Sequence, residues 1–156
     1  VYTRRAGFEV TGQDGKTLSE HFSEGLKTFH GFSSHGFPNC FQMGGISQTG
    51  ASVNLTSVLD DHAQHIGYII KEVLDRGAKY VQPTQEAETG WVETINNLAV
   101  NNQAYLEACT PGYYNNEGHI ADGGGIGQGY APGVNAFNAL LGKWREAGDL
   151  EGMQIK

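Results

Sequence analysis

Cys40-Phe41-Gln42-Met43-Gly44-Gly45-Ile46-Ser47-Gln48-Thr49-Gly50-Ala51-Ser52-Val53-Asn54 is the stretch whose reading sets the fold. Its first four residues form a short, mostly apolar run, the pattern of a buried strand. Gly44-Gly45 predicts the end of that strand, and a loop of small and hydroxyl-bearing residues follows. From Asn54 to Arg76 the spacing changes to three and four residues, which puts Leu59, Ala63, Ile66, Ile70, Val73 and Leu74 on one helix face. Asp60 and Asp61 lie in the early turns, where the helix dipole favours them, and Gly77 is placed for a left-handed C-terminal cap. Strand, glycine loop and helix in this order is the arrangement that α/β folds use beside a phosphate or cofactor. The first amides of such a helix have no intrahelical partner and can donate to an anion or a polarised carbonyl. Gly50, Ala51 and Ser52 are small enough for a flat ring to approach the backbone. An ordinary strand-to-helix connection, with Asn54 or Ser52 as N-cap, accounts for the same residues equally well.

Outward from this unit the signals are shorter. Gly7-Phe8-Glu9-Val10-Thr11 alternates like an exposed strand and runs into Asp14-Gly15 turn chemistry. Lys16 to Gly31 predicts irregular chain with at most one helical turn. Tyr80-Val81 reads as a brief strand before Pro83, and a second long helix is expected from Gln85 to Leu106 with Ala87, Trp91, Ile95, Leu98, Asn102 and Tyr105 on its face. Thr110 to Gly133 is rich in glycine and polar residues, a loop length that is usually functional or mobile. A third helix spans Val134 to Ala147, carries Val134, Phe137, Leu140, Leu141 and Trp144 on one face, and ends at Gly148. Met153-Gln154-Ile155 is the last expected strand.

The 156 residues fit about one domain. With 38% hydrophobic and 17% charged residues, the chain is too apolar for wholesale disorder. A net charge of −7 argues against nucleic acid as a partner, since phosphate binding needs clustered Lys and Arg. No run approaches the ~18 apolar residues of a membrane-spanning helix, so no membrane partner is expected. Cys40 and Cys109 make neither a disulfide framework nor a metal box, which fits a cytoplasmic setting. No apolar signal region follows Arg4-Arg5 and no initiator methionine is present, so the chain reads as cut from something longer.

Three chemical signatures are weak. Gly123 to Gly129 does not match G-x-G-x-x-G and follows no strand. Asp61, His62 and His65 have helical spacing for a metal, but no further ligand appears at recognisable distance, so no metal is expected. No Gly-x-Ser-x-Gly elbow supports a hydrolase.

Gly36-Phe37-Pro38-Asn39-Cys40-Phe41, followed by Asn54 and His62, resembles the C-terminal part of the flavin-dependent Baeyer–Villiger monooxygenases, where a Gly-Phe-Pro-Asn-Leu-Phe run leads into the last strand of the FAD domain. Gly25-Leu26-Lys27-Thr28-Phe29-His30-Gly31 resembles that family's Gly-Pro-x-Thr-Tyr-x-Gly, and Trp91-Val92-Glu93 resembles its Trp-Val-Glu helix. The resemblance implies an α/β fold: the C-terminal portion of a two-dinucleotide-domain FAD/NAD(P)-binding architecture, with short strands, three main helices and long glycine-rich loops. Residues 1–82 would be the C-terminal part of the FAD-binding domain, and 83–156 a helical and loop segment packing on it. It also implies an enzyme that reduces FAD with NADPH and inserts oxygen next to a ketone carbonyl to give an ester or lactone. Asn54 and Leu55 would meet the flavin ring through backbone amides, with Gly45 in the same cofactor-binding loop. Thr49, Gly50, Ala51 and Ser52 would line the pocket for a small-molecule ketone.

The family's glycine fingerprints and its catalytic arginine belong upstream. This chain is therefore expected to hold no catalytic residue, to leave FAD and NADP mainly to a missing N-terminal portion, to be inactive alone, and to self-associate through its uncovered docking face. The alternative is a non-enzymatic protein-interaction domain that uses the acidic surface and the 110–133 loop.

Overall fold

A computed structural model of the chain describes residues 7–43, 48–50, 54–99, 108–112 and 129–156. Its elements in chain order are α1 (Leu18–His21), α2 (Leu55–Asp75), β1 (Val81–Pro83), α3 (Gln85–Leu98), α4 (Val134–Ala147) and β2 (Met153–Ile155). The two strands pair antiparallel, Val81 opposite Ile155 and Pro83 opposite Met153. Two of the expected strands, Tyr80-Val81 and Met153-Gln154-Ile155, thus form one small sheet, with the first shifted onto Pro83. β1 crosses the expected 82/83 boundary.

The helix ends follow local chemistry. Asn54 caps α2 by accepting the Ser57 amide at 3.2 Å through Oδ1, and Thr84 caps α3 by accepting the Ala87 amide at 3.1 Å. Gly77 and Gly148 stand in the left-handed region after α2 and α4, at φ +67° and +72°. The four-residue α1 matches the single expected turn. Its capping box is complete: the Thr17 hydroxyl oxygen accepts from the Glu20 amide at 3.2 Å and the Glu20 carboxylate from the Thr17 amide at 2.8 Å.

Both expected strands on the N-terminal side are corrected. Gly7 to Thr11 makes one isolated bridge, Thr11 to Thr17, around a 3-10 turn at Gln13–Gly15. The Thr17 capping box turns the returning arm into α1, so among the described residues no partner strand remains for residues 7–11. Cys40 to Met43 is not a strand either. Asn39 takes the edge of β1 instead: its amide donates to the Val81 carbonyl at 2.8 Å, and its Oδ1 accepts from the Val81 amide at 3.0 Å. Beyond that point the Cys40 amide closes a turn on the Phe37 carbonyl at 3.3 Å, and the Gln42 amide donates to the Phe32 carbonyl at 2.7 Å.

The buried face of α2 is rotated from expectation. Val58, His62, His65, Ile69 and Val73 point inward, while Ile70 is 43% and Leu74 68% exposed. α3 stops at Leu98, short of the expected Leu106, with an extended Ala99 as its C-cap. Residues 100–106 of that expected helix and most of the 110–133 loop lie outside the described residues.

Two apolar clusters join these elements. Phe32, Trp91, Ile95, Phe137 and Leu141 tie the 28–34 turn to α3 and α4, with Phe29 and Tyr130 against them. Ile69, Val73 and Val81 join α2 to the sheet under Trp144. No described helix is long and apolar enough to cross a membrane.

Candidate functional site

Gln48, Thr49 and Gly50 enter the interior just before the helix that Asn54 caps. All three are buried. The Gln48 side chain accepts from the Thr28 hydroxyl and donates through Nε2 to the Leu26 carbonyl at 2.7 Å. Its backbone carbonyl accepts from the indole of Trp91 at 3.2 Å. The Thr49 carbonyl accepts from the Tyr130 amide at 2.9 Å. Gly50 lies against the first turns of α4, where an added Cβ would stand 2.6 Å from Val134 Cα and 2.8 Å from Phe137 Cβ. Only glycine fits there without moving a helix.

The expected site residues therefore divide. Thr49 and Gly50 face the core of this chain. Asn54 and Leu55 are exposed at the start of α2, where Leu55 keeps half its surface in solvent. The amides of Leu55 and Thr56 precede the first intrahelical bond of α2, so the helix itself gives them no acceptor. Gly45, Ala51 and Ser52 lie outside the described residues. No residue from Gln48 to Leu55 is charged, so the segment can offer neutral backbone donors and small or hydroxyl-bearing side chains.

Asp61, His62 and His65 do not converge. The Asp61 carboxylate accepts from Asn138 Nδ2 at 2.6 Å. The His62 ring sits edge-on to Phe32, with centroids 4.8 Å apart. His65 Nδ1 accepts from the Arg145 guanidinium at 3.3 Å, which fixes the His65 proton on Nε2. Among the described residues no group of three ligands gathers for a metal.

Sequence reasoning missed two polar centres. The first is the burial of a histidine group in the aromatic core, His30 beside His65. His30 lies 3.8 Å from Phe29 between ring centroids, stands edge-on to Trp91 and Trp144, and lies 5.8 Å from His65. Burial pushes His30 down to about 3. His65 is also pushed to about 3, by burial first and then by the charges of its neighbours, Arg145 among them. His62 is lowered by burial, against the opposing pull of Asp61.

The second centre is Glu88, buried on α3. Its Oε1 accepts from His21 Nε2 at 3.0 Å and from the His35 amide at 2.8 Å, which ties α1 and the 34–37 turn to α3. It lies at a cleft of about 500 Å³ rimmed by Lys16, Lys27 and Glu93. No spacing rule links positions 21, 35 and 88, so only the folded chain reveals the contact.

No family model matches the chain. It is 41% identical over 155 residues to the pentalenolactone D synthase of Streptomyces exfoliatus, covering 99% of this chain and 26% of that protein. It is 42% identical over 138 residues to a Baeyer–Villiger monooxygenase of Streptomyces coelicolor, covering 88% of this chain and 22% of the other. The structure overlays the polycyclic ketone monooxygenase of Thermothelomyces thermophila with a TM-score of 0.83 at 32% identity, over 99% of this chain and 25% of that one. The chain thus spans about a quarter of the length of the relatives it matches. Over nearly its whole length, this chain is homologous to a portion, about one quarter, of the flavin-dependent Baeyer–Villiger monooxygenases.

Proposed function

We propose that this chain is the C-terminal portion of an FAD- and NADPH-dependent monooxygenase that converts a ketone to an ester or lactone. The supporting observation is the 41% identity across 155 residues to an enzyme of that family. The anchored Gln48–Gly50 segment, leading to the capped N-terminus of α2, agrees with it.

The residues suit a flavin edge. Backbone N–H groups at the start of α2 can donate to a ring carbonyl or nitrogen, and the exposed Leu55 side chain can cover apolar ring surface. Asn54 and Leu55 would hold the cofactor, together with Gly45. Ala51 and Ser52 would border the ketone, with Thr49 and Gly50, turned into the core, holding that border from behind. When bound, the flavin supplies the redox and oxygen chemistry, and the protein supplies orientation and water exclusion. This chain's own part is to hold the loop backbone in one place and to cover one side of the ring. It contributes no catalytic residue, and the remaining polypeptide supplies most contacts to FAD and NADP.

The test is to express the chain joined to its upstream coding sequence. Bound yellow flavin and NADPH oxidation that depends on added ketone are expected. A colourless protein, inert with ketones, overturns the assignment.

A further inference from the structure

We propose that Gln48 is a positioning residue: its buried amide, bonded to Thr28 and Leu26, sets where the Thr49–Gly50 backbone lies relative to the flavin. This rests on the functional reading above, and the Gln48 anchor itself stands on the geometry of this chain.

Gln48 is 5% exposed and adopts φ +63°, in the left-handed region. A non-glycine residue holds that conformation only where its surroundings over-determine it. Here they do. Gln48 Oε1 accepts from the Thr28 hydroxyl, Nε2 donates to the Leu26 carbonyl at 2.7 Å, and the Gln48 carbonyl accepts from the Trp91 indole at 3.2 Å. Each end of the side-chain amide has its own partner, so the group has one orientation. Thr28 serves twice. While its proton goes to Gln48, its oxygen accepts the Gly31 amide at 3.1 Å. That bond closes the turn on which Thr49 rests: Gly31 lies at φ +81°, and a Cβ there would collide with Thr49 Cγ2.

The following residues are held from other directions, Thr49 by the Tyr130 amide and Gly50 by the first turns of α4. The 26–31 turn, α3, Tyr130 and α4 therefore all converge on three consecutive residues at the root of the proposed flavin loop. Gln48 touches no reacting atom in this reading. It acts through the backbone it fixes, where a displacement near 1 Å can cost about a hundredfold in rate.

Thr28→Val removes the hydroxyl with little change in shape. Gln48→Glu keeps the acceptor for Thr28 and loses the donor to Leu26. Thr28→Ser is the conservative control. Hydrogen exchange on the chain is expected to accelerate at least tenfold in peptides covering 48–50 for the first two variants. Peptides from α3 and α4 should stay unchanged, and Thr28→Ser should match the parent.

In the flavin-loaded complete polypeptide, the same two variants are expected to raise threefold or more the share of NADPH oxidised without oxygen insertion. In that side reaction NADPH, a proton and O2 give NADP and hydrogen peroxide, with flavin content and KM for NADPH unaltered. Exchange that is unchanged, or that rises equally in every peptide, overturns the proposal, and so does an unaltered peroxide share. A complete polypeptide that binds no flavin overturns the functional reading instead, and the exchange pattern still decides whether Gln48 fixes the loop.

Discussion

His30 and His65 are the residues whose chemistry depends most on burial. The rings of Phe29, Trp91 and Trp144 surround His30, and His65 faces Phe32, Trp144 and the Arg145 guanidinium. His30 Nδ1 has no hydrogen-bond partner among the described residues, so charging the ring would gain nothing from them to offset its desolvation. Both rings are held near 3 when folded, against an ordinary value of 6.5. Below pH 6.5 the unfolded chain takes up protons that the folded chain refuses. Stability is therefore complete above pH 6.5 and falls as pH drops toward 3, with a slope approaching about 1.4 kcal/mol per pH unit for each histidine. The carboxylates lowered by hydrogen bonds, Glu9, Glu20 and Glu24, titrate below 4.5 and leave the upper part of this window to the histidines. Denaturant titrations at pH 7.5, 6 and 5 should show the loss, and His65→Leu should flatten it. Equal stability at all three pH values would contradict the burial of neutral rings.

At the scale of elements, two glycines give opposite predictions. Gly50→Ala forces a Cβ into the backbone of α4 and should destabilise by about 1–3 kcal/mol, the usual range for overpacking. Gly67 lies inside α2 with open space around its Cβ direction, so Gly67→Ala should stabilise by about 0.5–1 kcal/mol through helix propensity. Urea midpoints of the two variants, moving in opposite directions from the parent, check both. What could be read ahead of the structure follows the same line between local and remote causes. α2 was legible almost to the residue, and α4 and β2 fully so, because Asn54, Gly77 and Gly148 end their helices by neighbour-range chemistry. The strands expected at 7–11 and 40–43 failed because pairing is decided far along the chain, by Thr17 in one case and by Asn39 on Val81 in the other. The inward face of α2 was misjudged because His62 and His65 count as polar in any periodicity, yet as neutral rings they pack like aromatics. The role of Gln48 was invisible for a related reason: its partners at 26, 28 and 91 meet it only in space.

At the scale of the molecule, α2 carries a second apolar stripe that the described residues leave exposed. Ala63, Gly67, Ile70 and Leu74 are all exposed and follow a four-three-four spacing, the repeat with which one helix packs on another. Ile70 and Leu74 point away from the face buried under α4 and the sheet. Exposed apolar contiguity of this kind marks a surface meant for a partner. In the functional reading that partner is the flavin-binding polypeptide that makes up the rest of the relatives' length. Without it, the stripe is expected to find its own copy. Sedimentation velocity on the chain alone should show concentration-dependent self-association and binding of a hydrophobic dye, and Ile70→Lys combined with Leu74→Lys should return a monomer with little dye bound. In the complete polypeptide the same double substitution should loosen the seating of α2 and lower flavin occupancy. A parent chain that sediments as a monomer and binds no dye would remove the stripe as a docking face, and would leave the anchored loop at Gln48 as the remaining structural support for a role beside the flavin.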